Sequence, residues 1–302
     1  MSYIAVAGGV NVDIGAFPSQ KLKTKDSNPG HVKTSLGGVG RNIAHDLRLL
    51  GAEVELFTVL GGDGYARAMV ESCAELGIGL SHALHVDDMR TSTYVFITDE
   101  RGDMTLAVSD MAICEKLTPA YFAEHLDALN AAALVVADTN LPAESLAYLA
   151  EHLSVPLFVD PVSTAKAEKL LPILPKLHTL KPNGHEAELL SGVPVVDRNS
   201  ARRAARKLID LGVKQVVVSL GKEGFLAAAE DETVWEPAPE AEVVSTTGAG
   251  DALMAALAWS YVRRENLSRT AALGAAAAAI TIECEATINP ALSAEAVLRR
   301  AK

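Results

Sequence analysis

The chain has 302 residues, 49% of them hydrophobic and 22% charged, which suits a buried soluble core of one α/β domain. Acidic residues outnumber basic ones 38 to 27, a formal charge of −11 that argues against a general nucleic-acid or anionic-membrane binder. The three cysteines are scattered and form no CxxC pair, so reduced thiols in a cytoplasmic protein are expected.

In chain order, the first element is a strand at Ile4–Ala7, read as a buried strand and not as a signal peptide, since it has no basic flank. Residues Asn11 to Ser35 are polar and carry the turn formers Asp26-Ser27-Asn28-Pro29-Gly30. Helical spacing follows at Gly40–Leu50, then a strand at Glu53–Val59 and a helix at Gly64–Leu76. Arg90 to Val108 reads as a hairpin turning at Asp99–Asp103. Helices at Pro119–Ala128, Ala143–His152, Gly184–Ser191 and Ser200–Leu211 then alternate with strands at Ala133–Ala137, Leu157–Val159, Thr179–Lys181 and Gln215–Ser219. A short strand and turn at Val234–Pro239 precede the last helices, and the alanine-rich run Ala271–Ile280 is too short to span a bilayer.

Strands alternating with helices predict a mostly parallel central sheet covered on both faces. The two segments outside that rhythm, about 11–35 and 90–110, are expected to pair into a small β-lid on a domain spanning 1–302. The acidic chain shows one modest basic cluster, Arg202-Arg203 with Arg206-Lys207, which reads as a solvated helix face.

Two stretches carry the chemistry. Ser245-Thr246-Thr247-Gly248-Ala249-Gly250-Asp251 runs into a strong helix former, so small residues at a helix N-terminus offer N–H groups to an anion. Asp251 can accept a proton there, although a bare GAGD also fits an ordinary helix cap. Leu36-Gly37-Gly38-Val39-Gly40-Arg41-Asn42 brings backbone close to a polar ligand, with Asn42 able to donate and accept. A dinucleotide fingerprint does not fit, because the spacing differs and Gly8-Gly9-Val10-Asn11 is not one.

Together these stretches resemble the ribokinase, or PfkB-type, carbohydrate kinases, with further matches at Asn11-Val12-Asp13, at Asn183-Gly184-His185-Glu186 and at Ser219-Leu220-Gly221-Lys222-Glu223-Gly224. The resemblance covers essentially the whole chain. It implies a ribokinase-like α/β fold and an ATP-dependent kinase with Asp251 as general base and Gly248, Ala249 and Gly250 at the transferring phosphoryl group. By the same resemblance Asn11, Asp13, Gly38 and Asn42 hold the sugar, while Asn183, Ser219, Gly221 and Gly224 line the nucleotide site. Asn183 and Glu186 organise Mg²⁺ through water, although by themselves they also read as a helix cap and a first-turn acid.

Ser245 stands where many members carry Asp or Asn, which leaves K⁺ open, with Ser245 as a monovalent-cation candidate and Ala286–Pro290 as the loop across from it. Within the family, Asp26–Gly30, Gly37–Asn42 and Val108–Met111, together with Val135–Asp138, Phe158–Ser163 and His178–Asn183, are similar to the bacterial pseudouridine kinases. That similarity implies phosphorylation of the 5′-hydroxyl of pseudouridine, with Ser27, Asn28, Thr93 and Asp110 as lid candidates for the base. The alternatives are another nucleoside (uridine, adenosine), a free sugar (ribose, fructose), or a catalytically silent ligand sensor, which should lack the base or the GAG turn. Relatives that dimerise through the lid make a homodimer a further candidate.

Overall fold

The computed structural model describes residues 3–301. Its strands in chain order are β1 (Ile4–Ala7), β2 (Asn11–Pro18), β3 (Gly30–Gly37), β4 (Val54–Phe57), β5 (Val59–Gly61), β6 (Leu84–Val86) and β7 (Thr93–Thr98). They continue with β8 (Met104–Asp110), β9 (Val135–Asp138), β10 (Leu157–Asp160), β11 (Thr179–Leu180), β12 (Gln215–Ser219), β13 (Phe225–Ala229) and β14 (Thr233–Glu236).

A central eight-stranded sheet runs in the order β14-β13-β12-β11-β10-β9-β1-β4, parallel from β4 to β12, with β13 antiparallel to both of its neighbours. Period-two alternation divides its side chains. Ile4 and Val6 face one core, with helices 39–49, 64–76, 249–262 and 267–282. Ala5 and Ala7 face the other, with helices 143–152, 184–191 and 198–210. The helices at Gly64–Leu76, Ala143–His152 and Gly184–Ser191 have the bounds expected from their spacing.

Some local expectations shift. The helix expected over Pro119–Ala128 divides at His125 into Pro119–Glu124 and Leu126–Ala131. The expected strand Glu53–Val59 ends at Phe57, because Val59–Gly61 pairs instead with Leu84–Val86 in a separate two-stranded sheet. Strand β13 carries no sequence signal: Phe-Leu-Ala-Ala-Ala has no β-branched residue, and pairing to β12 and β14 on its two sides makes it extended.

A separate four-stranded sheet has the order β3-β2-β7-β8, built from the two segments that break the βα rhythm. Its β2–β7 link is parallel and its outer links are antiparallel. Register fixes its faces. Asp13, Ser35, Tyr94 and Ser109 form one row, while Val12, Leu36, Thr93 and Asp110 form the adjacent row on the opposite face.

Candidate active site

The parallel strands end in polar residues at one edge. Asp138 closes β9, Asp160 closes β10, Lys181 follows β11 and Ser219 closes β12. In open α/β sheets this carboxyl edge is where ligands bind.

Helix 249–262 meets that edge with its N-terminus. Gly248 is its cap residue at φ 85°, and a Cβ there would lie 2.0 Å from the Thr287 carbonyl oxygen, so glycine is required. No side chain caps this terminus, which leaves the first-turn N–H groups to an outside acceptor. Asp251 does not turn back to cap its own helix. Its Oδ2 accepts from Asn42 Nδ2 at 2.9 Å, and burial, then the charge of Asp160, push its pKa up to about 7. Asn42 and Lys181 oppose that rise without cancelling it.

Helix 39–49 delivers Asn42. It starts at Gly38, whose carbonyl accepts from Asn42 N and whose Cβ, if present, would clash with Gly9 and Val10. The same close approach brings in Asn11, whose Nδ2 donates to Asp13 Oδ1 at 2.7 Å. A Cβ on Gly37 would lie 2.2 Å from Asp13 Oδ2. Burial raises the Asp13 pKa, partly offset by Asn11 and Arg41. Asn11, Asp13, Gly38, Asn42 and Asp251 therefore form one connected set.

Three charged residues of this edge were not singled out as site residues in the sequence. Lys181 Nζ pairs with the Asp160 carboxylate at 3.1 Å, both side chains buried, and a Cβ on Gly250 would lie 3.3 Å from that Nζ. Burial opposes the Lys181 charge, but Asp160, with Asp251 and Glu186, outweighs it and holds the pKa above its usual value. Asp138 is fully buried, accepts from the N–H groups of Gly9 and Asn140, and is pushed up to about 6, chiefly by burial. Val162, a β-branched residue at φ 62°, donates its N–H to Asp160 Oδ1, a strained conformation of the kind that collects at functional sites. A charged residue ending an apolar strand was the available signal.

The expected nucleotide residues lie along the same edge toward β12. Asn183 and Glu186 form a reciprocal capping box on helix 184–191: Asn183 N donates to Glu186 Oε2 at 2.8 Å and Glu186 N to Asn183 Oδ1 at 3.0 Å. Their cap reading is thus real, and burial raises the Glu186 pKa. Ser219 bridges to Asn183. Gly221 is exposed at φ 56° with open space where a Cβ would sit. Gly224, at φ 99°, would instead drive a Cβ into the Glu236 carbonyl, so β14 demands it.

Ser245 accepts from Thr247 N, and its own N–H donates to Ile282 O. The 286–290 loop does meet this turn, through Thr287 against Gly248.

The lid candidates scatter. Asn28 uses both ends of its amide to close its own loop onto Lys23 and Asp26, and Ser27 is exposed beside it. Thr93 and Asp110 face away from Asp13, whereas Tyr94 shares its row. On that face Tyr94, Phe96 and Phe17 pack ring against ring, with His31 stacked at the end. Among the described residues no group of three or more His, Cys, Asp and Glu could hold a metal, and no helix is long and apolar enough to cross a membrane. The three cysteines are free.

The model of the pfkB family carbohydrate kinases matches residues 1–294. Pseudouridine kinase of Escherichia coli is 35% identical over 293 residues, 96% of this chain and 94% of that protein. A second Escherichia coli protein, the uncharacterized sugar kinase YeiI, is 36% identical over 300 residues, covering 98% of this chain and 82% of the relative. Among solved structures, a carbohydrate kinase from Agrobacterium tumefaciens superposes with TM-score 0.88 at 29% identity, over 100% of this chain and 97% of the other. Arabidopsis thaliana ribokinase, solved with ribose and ATP, has TM-score 0.89 at 24% identity over 100% and 99%, a likeness of fold.

The chain belongs to the pfkB family of carbohydrate kinases, with a ribokinase-like fold. It is a sugar or nucleoside kinase of that family.

Proposed function

We propose that the protein transfers the γ-phosphoryl group of ATP to the 5′-hydroxyl of pseudouridine, with Asp251 as the general base. The observation that carries the kinase half is the uncapped N-terminus of helix 249–262 with Asp251 turned toward Asn42 and its pKa near 7. A base of that pKa removes a hydroxyl proton well at neutral pH. The N–H groups of Gly248, Ala249 and Gly250, beside Lys181, meet the charge that develops on the moving phosphoryl group. Asn11, Asp13, Gly38 and Asn42 hold the ribose hydroxyls.

The pseudouridine half is supported by the Escherichia coli relative at 35% identity, with the comparable YeiI match as the reason to assay more than one acceptor. A silent sensor is disfavoured by the intact base and turn.

Asn183, Ser219, Gly221 and Gly224 line our nucleotide half-site. Glu186 has one oxygen committed to its cap, and no protein cage surrounds it among the described residues. That donor set fits Mg²⁺ held mainly by nucleotide phosphates and water, with Glu186 and Asn183 behind the water; bound Mg²⁺ would neutralise phosphate charge. Ser245 contributes one neutral oxygen to a K⁺ site if the enzyme uses one.

The four-stranded sheet acts as a lid that excludes water, on one domain spanning 1–302. Its face away from Asp13 exposes Val32, Leu106 and Val108 at 68%, 60% and 64%. A second copy covering that face gives a homodimer of a cytoplasmic enzyme.

The test is an ADP-release screen over pseudouridine, uridine, adenosine, ribose and fructose. A clear preference for pseudouridine is expected. Preference for another acceptor overturns the substrate, and no turnover with any acceptor removes the kinase chemistry.

A further inference from the structure

Beneath the Asn42–Asp251 hydrogen bond lies a carboxyl group that the chemistry above does not use. Asp46 is one helical turn beyond Asn42, so the two side chains share a face of helix 39–49. It is 0% exposed, neither of its oxygens has a hydrogen-bond partner among the described residues, and the buried Asn42 Oδ1 is likewise without one. With Asp46 ionised, three buried acceptors on one helix face would each be left without a hydrogen-bond partner, which folded proteins avoid. Protonation changes the inventory, because a neutral carboxyl brings one O–H donor and Asn42 Oδ1 is an acceptor. One helical turn brings such a donor to the side of the helix that carries Asn42.

The surrounding charges favour the neutral form. Burial, then the Asp251 carboxylate on helix 249–262, raise the Asp46 pKa well above the usual value. On its own helix, Arg41 opposes this; its Nη1 and Nη2 donate to Leu36 O and Ser72 Oγ, its buried Nε is without a partner, and no ion pair joins it to Asp46 among the described residues. His45, the neighbour in sequence, has its pKa lowered to about 4 by burial and Arg41 and is neutral at pH 7.

We infer that Asp46 is a positioning residue: as a neutral carboxylic acid it supplies the hydrogen-bond donor that Asn42 Oδ1 lacks, and so fixes Asn42 with Nδ2 toward Asp251. Reversing the amide would set Oδ1 against the Asp251 carboxylate and disfavour the ionised base. The functional consequence rests on Asp251 being the base.

The test compares Asp46→Leu with Asp46→Asn in the full chain, by the pH profile of kcat and by infrared difference spectroscopy. Asp46→Leu has no donor; it should lower kcat on the order of tenfold with acceptor KM little changed. It should also move the acid limb upward by about one pH unit. Asp46→Asn keeps a neutral donor and should restore both. An unshifted limb in Asp46→Leu overturns the positioning role. A limb moved downward in Asp46→Asn means that Asp46 is charged, and also overturns it. Independently of turnover, the wild type minus Asp46→Asn spectrum at pH 7 should contain a protonated-carboxyl C=O band that shifts in heavy water. Its absence refutes the assignment even if Asp46→Leu does not fold. If no acceptor is turned over, the function reading fails while the spectrum still decides the state of Asp46.

Discussion

Asn42 Nδ2 donates to Asp251 Oδ2 at 2.9 Å although 209 positions separate the two residues. This bond ties the start of helix 39–49 to the start of helix 249–262, and so couples the proposed sugar half-site to the carboxylate proposed as base. It also stabilises the ionised form of a group that burial pushes toward neutrality.

Replacing Asp251 by Asn should cut turnover by about 10²–10⁴-fold, the size of general-base loss, with ATP affinity nearly intact. Steady-state kinetics with a nucleotide-binding titration check this. Near-normal turnover would remove Asp251 from the base role.

The pH dependence follows from the same group. A base must be ionised, and the Asp251 pKa is near 7, so kcat/KM of the wild type should fall as pH drops through about 7. A profile flat down to pH 5 would contradict it.

Stability should move the other way. Asp251 at about 7 and Asp138 at about 6 bind protons more tightly folded than unfolded. Between roughly pH 4 and 7 the native state therefore holds more protons, and stability falls as pH rises through that window. Asp251→Asn removes its share, so it should stabilise the unliganded protein by about 1–3 kcal/mol at pH 8 and by little at pH 4. Denaturant titrations at the two pH values measure the difference.

Lys181→Met should leave the buried Asp160 carboxylate without its counter-charge and cost about 3–5 kcal/mol of stability. Arg300, whose pair with Glu283 lies nearer the surface, provides the contrast: Arg300→Met should cost about 1 kcal/mol or less. Equal losses in thermal melts would refute the difference in burial as the cause.

The register of the four-stranded sheet makes a prediction about the acceptor. Tyr94 shares a row with Asp13 and Thr93 does not, so Tyr94→Ala should raise acceptor KM roughly tenfold, as loss of one base–aromatic stack does. Thr93→Ala should change it little. The reverse order would mean that the other face meets the substrate.

Much of the molecule could be read locally. The period-two and period-3.6 patterns marked where the parallel strands lie and gave three helices to the residue, and the small-residue run before Asp251 marked a helix start. Where propensity and pattern disagreed with pairing, the reading missed: β13 is alanine-rich and extended because β12 and β14 pair with it. The cap reading of Asn183 and Glu186 also held, since both partners of that box lie within one turn.

What the sequence determined by itself was the set of short-range facts: strand and helix periodicity, the turns, and the motifs that carry the family resemblance. Those depend on φ/ψ preferences and side-chain spacing within a few residues. Only the tertiary structure decided that Asn42 meets Asp251, that Asp138, Asp160 and Lys181 converge on the same edge, and that Tyr94 shares the face of Asp13 while Thr93 does not. These relations arise from strand order and from helix packing against the sheet, and they join residues far apart in the chain. No local spacing encodes them, because a one-residue change of register would turn every lid side chain to the other face.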